Sequence, residues 1–344
     1  FIRTKNKTKL LWIFCWLAFL LSAIIDNLTA TIVLISLLQK LVKDREIRLW
    51  FAGLIVISAN AGGAFSPIGD VTTTMLWIAD KVTTTYLFGY LLLPSLACML
   101  VPTFLASKLS VFKGNLEVDD TEEDSPGRFS GTMLYLGLSA IVFVPIFKMV
   151  THLPPYVGMM LSLGLVAIFA EIYTSSKFSL EGLSKEGHSS PVHYSLTKIE
   201  LPSILFFLGI LMAVAALESL GILFGFADWL KVATPRIGTE VASAAVSDLV
   251  VLLLGVGSAV IDNVPLVAAS LGMFSESTDD ILWHFIAYSA GTGGSMLIIG
   301  SAAGVVAMGM ERINFFWYLK KISWLAFMGF ICGALVFLFT RTLF

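Results

Sequence analysis

The residues of this 344-residue chain best suited to chemistry are aspartates set among apolar neighbours. Asp26 is flanked by Ile24, Ile25 and Leu28, and Asp262 by Val260, Ile261 and Val264. An ionised carboxylate at membrane depth costs at least about 2.5 kcal/mol on insertion scales and requires a partner. No Lys or Arg falls in the interior of either apolar stretch or in the glycine-rich breaks after them, so the most economical partner is a cation that comes and goes. Asn27, Thr29, Asn60, Ser66, Asn263, Thr292 and Ser295 would add neutral oxygens of the kind that hold small hard cations. Asp70 follows Gly69 and precedes a helical run, which fits a cation contact and an N-cap equally. The expected site is Na+ at Asp26, Asn27, Asp262 and Asn263. A desolvated carboxylate can take up a proton when the cation leaves, so Na+ and H+ would compete for the same groups.

Such groups have to be positioned inside a bilayer. Hydrophobic residues make up 57% of the chain and charged residues 13%, and the mean hydropathy is +0.88; a soluble domain carries about 25% charged residues. Apolar stretches recur that are long enough to cross about 30 Å of hydrocarbon as helices, whereas a spanning strand would need alternating polarity. The expected fold is an all-α polytopic membrane protein with two inverted-topology repeats, each with a re-entrant helical hairpin and a glycine-rich broken helix. Residues 1–110 form the first repeat, with a hairpin over 9–42, a broken helix over 48–79 and a helix over 86–107; an acidic cytoplasmic linker follows over 111–129. The second repeat, 130–344, has helices over 130–149, 155–175 and 200–227, a hairpin over 238–274, a broken helix over 281–310 and a helix over 322–340. With both hairpins returning to the side they left, 17 of the 22 Lys and Arg residues share one side, which the positive-inside rule makes cytoplasmic.

The repeat is written in the spacing. Asp26-Asn27 precedes Gly62-Gly63 by about 35 residues, and Asp262-Asn263 precedes Gly293-Gly294 by about 30. In each copy the second glycine has another glycine six residues on, Gly69 or Gly300, followed by Asp70 or Ser301. Opposed copies of this kind are what inverted-repeat transporters contain. Irregular backbone at membrane depth survives only where it lines a cavity or is buried in protein; Gly62, Gly63, Gly69, Pro67, Gly293, Gly294, Gly300 and Pro265 would permit it. The second copy has three segments before its hairpin and the first has none, so about three further helices upstream are expected.

Plainer roles stand beside these. The Asp-Asn pairs would also serve as turn or N-cap residues, and Thr72, Thr73 and Thr74 as polar packing. Glu218 and Asp248 are further acids in apolar segments, open to coupling, packing or interfacial roles. His284, near the start of its segment, reads as interfacial, and His152, His188 and His193 fall in loops. Cys15, Cys98 and Cys332 match neither a disulfide framework nor a zinc site.

The runs Ile25-Asp26-Asn27-Leu28-Thr29-Ala30-Thr31, Asn60 through Thr74, Ser258 through Pro265 and Gly291-Thr292-Gly293-Gly294-Ser295-Met296 resemble the NhaD-type sodium/proton antiporters of the wider ion-transporter superfamily. Related dicarboxylate carriers have Ser-Asn-Thr at the hairpin tips, and Asp-Asn in that place favours a cation as cargo. The resemblance implies a homodimer with a scaffold domain and a mobile transport domain. It implies Na+, with Li+ as a further cargo, exchanged for protons across the lipid bilayer, with no cofactor and no nucleic acid. The membrane would be bacterial cytoplasmic (inner) or an organelle envelope. The alternative on the same fold is an ion-coupled anion carrier of dicarboxylate or arsenite type. That would need basic groups or helix N-termini aimed at its cargo. An intramembrane aspartyl protease is disfavoured because Pro67-Ile68-Gly69-Asp70 lacks the first glycine of a Gly-x-Gly-Asp segment. No enzymatic activity is expected.

Overall fold

The computed structural model describes residues 6–115, 130–178 apart from 152 and 154, scattered positions between 205 and 229, and 246–342. The helix expected over 200–227 is described only at scattered positions, and Glu218, His152, His188, His193, the stretch 238–245 and most of the acidic linker lie outside the described residues. Among the described residues the chain is helical, with one isolated bridge between Asn6 and Asn115 and no strand.

The chain divides into two compact units, Thr121–Ile210 and a larger one formed by Phe1–Asp120 with Leu211–Phe344. The smaller unit contains α6 (Ser130–Thr151) and α7 (Pro155–Phe178), which pack together. The larger unit holds every candidate residue named above that is described. Its first series is α1 (Lys7–Ile24), α2 (Asn27–Leu41), α3 (Arg45–Ala64), α4 (Val71–Ile78) and α5 (Thr84–Ser107). Its second is α8 (Asp248–Ile261), α9 (Asn263–Met273), α10 (Ile281–Gly293), α11 (Ala302–Glu311), α12 (Phe315–Lys321) and α13 (Ser323–Thr340).

Two helices form the core. α3 is buried without a gap from Trp50 to Ala64, and α10 from Leu282 to Gly293. A helix apolar all round has to be enclosed by others. α1 and α2 pack on α3, α8 and α9 pack on α10, and α5 and α13 lie along one another. The outer helices expose large apolar side chains, among them Leu20, Val33, Phe104 and Phe339, more than a water-facing surface accommodates. Among the described residues α1, α3, α5 and α13 are long and apolar enough to cross a membrane. These features make the chain an integral membrane protein.

At one end of the larger unit, Thr8 donates to the carbonyl of Phe112 at 2.8 Å and Lys7 N–H to that of Gly114 at 3.1 Å. Trp50, near the start of α3, meets Phe112 and Trp317 edge-on. Arg48 there pairs with the buried Glu311 through Nε at 3.0 and 3.2 Å. At the other end, Thr83 N–H donates to Asp279 at 2.7 Å, Asp279 N–H to the Lys81 carbonyl at 2.9 Å, and Lys81 Nζ to the Glu276 carbonyl at 2.9 Å.

Candidate functional site

Each hairpin is interrupted at its aspartate. α1 and α2 flank the first break and α8 and α9 the second, leaving Asp26 at φ 146° and Asp262 at φ 82°, backbone that non-glycine residues adopt only under strain. Both carboxylates are half-buried and cap the helix that follows. Asp26 accepts from Thr29 N–H at 2.6 Å and from the Thr29 hydroxyl at 2.8 Å, and Asp262 accepts from Asn263 N–H at 2.8 Å. The capping reading and the binding reading are compatible, because such hydrogen bonds hold a carboxylate without neutralising it.

Two close crossings hold the breaks together. A methyl group at Gly62 would fall on the backbone carbonyl of Phe19, and one at Gly293 on that of Gly255. Only a glycine lets the interrupted helices approach the hairpins this far. Beside each crossing a hairpin serine donates to the adjacent core helix, Ser22 to the carbonyl of Ala59 and Ser258 to that of Ala290. Gly63 contacts Gly69 and Gly294 contacts Gly300 where the helices reopen. Pro67 lies in the first opening, where its carbonyl accepts from Thr74, and Pro265 in the first turn of α9.

The polar side chains then meet in two groups. Buried Asn60 accepts from the Asn27 amide at 3.1 Å and donates to Ser295 at 3.0 Å and Ser301 at 2.9 Å. Buried Asp70 accepts from Asn263 at 2.8 Å and from the Thr72 hydroxyl at 2.9 Å through the same oxygen, Oδ2. Asp70 stands at the N-cap position of α4 but makes no side-chain cap there. It is the most enclosed of the three aspartates, at 3% exposure, and Asp262 lies within electrostatic reach of it. Among the described residues none of the three forms an ion pair with Lys or Arg.

The remaining candidates are placed less centrally. The Ser66 hydroxyl faces the local turn at Ile68 N–H, 3.5 Å away. The Thr292 hydroxyl donates to the Tyr288 carbonyl within α10 at 2.6 Å. Asp248, open to a coupling role in the sequence, is held by Arg341 at 2.7 and 3.1 Å in a buried bidentate pair, which offsets its charge and makes its removal from the pair costly. His284 is fully buried under the ring of Tyr90, 3.5 Å from Asp279. Sequence reasoning missed Ser301 as a group in the Asn60 network and weighed Thr72 as packing; the signal for Ser301 was its place after Gly300, matching that of Asp70 after Gly69.

Interrupted apolar helices gathered around hydrogen-bonded amides and around carboxylates that, among the described residues, pair with no Lys or Arg characterise a polytopic helical membrane protein of transporter type. A family model described as "Citrate transporter" matches residues 2–283. "Sodium/proton antiporter 1" of Arabidopsis thaliana is 43% identical across 99% of this chain and 57% of its own length. "Sodium/proton antiporter 2" of the same plant is 42% identical across 97% of this chain and 78% of its own length. "Na(+)/H(+) antiporter NhaD" of Vibrio parahaemolyticus is 33% identical across 94% and 81%. The chain belongs to this transporter family and, within it, to the NhaD-type sodium/proton antiporters. It spans little more than half of the first of these relatives, and all three are named as antiporters, not as enzymes.

Proposed function

We propose that the chain exchanges Na+, and Li+ as a further cargo, for H+ across a membrane by alternating access, with aspartates that bind cation and proton in turn. The observation that carries this reading is Asp70, buried and held by Asn263, the chain neighbour of Asp262, with no Lys or Arg paired to it among the described residues. Two neighbouring negative groups in a low-dielectric site repel one another unless a proton or a cation lies between them. Asn263 and Thr72 orient Asp70 Oδ2, while Asp262, Asp26, Thr29, Asn27, Asn60, Ser66, Thr292 and Ser295 supply further oxygens near the breaks. The partial negative charge at the C-terminal ends of α3 and α10 favours a cation over an anion. A proton arriving on the carboxylates weakens the cation's hold, and the reverse step reloads it. The printed names of the relatives agree.

The two hairpins are read as re-entrant and the halves as inverted repeats. α8 and α9, at 14 and 11 residues, reach only about 21 and 17 Å at 1.5 Å per residue, short of about 30 Å of hydrocarbon. The start of α1 and the start of α3 meet the same turn around Phe112, which supports a first hairpin that leaves and re-enters on one side. The residue boundaries of the two repeats stand as given by the spacing. A homodimer with a scaffold and a mobile transport domain, in a bacterial inner membrane or an organelle envelope, completes the reading.

The family description also names citrate, which makes an anion carrier the second reading. It fits less well, because a carboxylate cargo would approach Asp26, Asp70 and Asp262, none of which has a Lys or Arg paired to it among the described residues. Everted vesicles loaded with Na+, Li+, K+ or citrate, with proton flux recorded, separate the two: Na+-driven proton release is expected from the wild type and its loss from Asp26→Asn and Asp262→Asn. Unchanged exchange in both variants removes those residues from the site, and citrate-driven flux without a Na+ response replaces the cation reading.

A further inference from the structure

The Arg48 and Glu311 pair closes one end of the larger unit, and beside it lies a pocket of about 330 Å³ lined by Arg45, Glu46, Leu49, Arg312, Asn314 and Trp317. That volume falls at the lower end of the roughly 300–1,000 Å³ found for small-ligand clefts. Charge in it is uneven. Glu311 is occupied by Arg48, and among the described residues neither Arg45 nor Arg312 has an acidic partner. Arg45 donates only to the Arg312 backbone carbonyl, at 3.3 Å. Glu46, the single acid in the lining, sits in the first turn of α3, where the helix dipole favours a negative charge.

Arg312 adds an independent observation. It occupies the left-handed C-cap of α11 at φ 51°, ψ 50°, a conformation that glycine or asparagine adopts at least cost. An arginine there accepts backbone strain to place a guanidinium at the pocket. The surroundings indicate the level of a membrane surface: Trp317 packs edge-on against Trp50, Phe316 is 66% exposed, and Lys320 and Lys321 close α12 with exposed side chains. Aromatic residues and basic residues share that level in membrane proteins, the first at the headgroup depth and the second against anionic lipid.

We propose that the pocket between α3 and the α11–α12 connection binds a phosphate group, supplied by the headgroup of an anionic membrane lipid and held by Arg45 and Arg312. Two guanidinium groups that no carboxylate pairs with among the described residues, set against the single Glu46 of the lining, suit the planar, multidentate recognition that phosphate offers. The site stands apart from the carboxylates of the ion site, so neither reading depends on the other.

The test uses the full chain purified in detergent, with its thermal midpoint measured on adding phosphatidylglycerol, phosphatidylcholine, glycerol 3-phosphate or inorganic phosphate. Phosphatidylglycerol is expected to raise the midpoint by several degrees over phosphatidylcholine, with the soluble phosphates giving little. Arg312→Gly and Arg45→Gln are expected to abolish that difference, while Lys320→Gln with Lys321→Gln retains it. Arg312→Gly relieves the left-handed backbone, so its midpoint in phosphatidylcholine should equal or exceed that of the wild type, which separates lost binding from lost folding. A lipid difference that survives in both arginine variants, or that disappears equally in the lysine variant, overturns the pocket. An equal rise with soluble phosphate overturns the lipid as its occupant.

Discussion

In the first interrupted helix the residue after Gly69 is Asp70, and in the second the residue after Gly300 is Ser301. Around them the backbone is built twice. Gly62 and Gly293 cross a hairpin carbonyl, Ser22 and Ser258 tie each hairpin to its core helix, and each hairpin breaks at an aspartate with positive φ. The chemistry is not built twice. Asp70 brings a buried charge held by Asn263, whereas Ser301 joins a neutral group with Asn60 and Ser295. The equivalent of Asn60 in the second copy is Gly291, whose missing side chain leaves the space facing Ala64 and Asp70. Repeated packing thus sets a frame with two openings, and the side chains place a carboxylate in one and a neutral polar network joining the two copies in the other.

Four experiments would break or sharpen this contrast. The largest effect is expected from Asp70→Ser, which gives the first break the chemistry of the second. Losing a charged contact of about 1.5–3 kcal/mol should weaken apparent Na+ affinity roughly 10- to 150-fold, read as Na+-dependent proton release in everted vesicles. Adding Ser301→Asp to the same chain should not restore it, because Asn60 and not Asn263 faces that position; restoration would make the two openings interchangeable.

Gly62→Ala and Gly293→Ala probe the shared frame. Each forces a methyl group against a backbone carbonyl, and overpacking of this kind costs about 1–3 kcal/mol. Thermal unfolding in detergent should fall by similar amounts in the two variants, and tolerance of one alone would end the equivalence of the crossings.

Asn60→Ala removes the side chain that bridges the copies and strands the Asn27 amide, for a penalty of about 1–3 kcal/mol when a buried polar group is left unsatisfied. The expected outcome is a lower unfolding midpoint together with slower exchange. A variant as stable as the wild type would mean that the bridge carries no strain between the halves.

The smallest effects separate two threonines. Thr72→Val removes a hydroxyl from Asp70 and should weaken apparent Na+ affinity by about fivefold, the worth of one hydrogen bond near 1 kcal/mol. Thr292→Val removes a hydroxyl already directed to its own helix and should leave exchange within about twofold of the wild type on the same scale. A reversal of that order would shift the site from the first break to the second.

Much of this was legible in the chain itself. Membrane residence follows from long apolar segments, because the bilayer requires helices and tolerates few charges. The doubled motif follows from the order of Asp-Asn, Gly-Gly and a later Gly in each copy. Asp248 marks where legibility ended: its apolar setting gave it the look of a coupling acid, and only the approach of Arg341, 93 residues away, neutralised it. The position of Asp70 in the chain was equally that of a helix cap, and tertiary structure gave its carboxylate Asn263 and Thr72 in place of a cap hydrogen bond.

The amino-acid order by itself determined which polar groups fall among apolar neighbours, that their motifs come in two matched sets, and that no basic residue lies beside the Asp-Asn pairs or in the glycine-rich breaks. Tertiary structure decided which of those groups touch: Asn60 with Ser295 and Ser301, and Asp70 with Asn263, across 235, 241 and 193 residues. The physical reason is range. Hydropathy and capping act over a helical turn or two, but hydrogen-bond partners between distant segments are fixed by how closely the helices carrying them can pack.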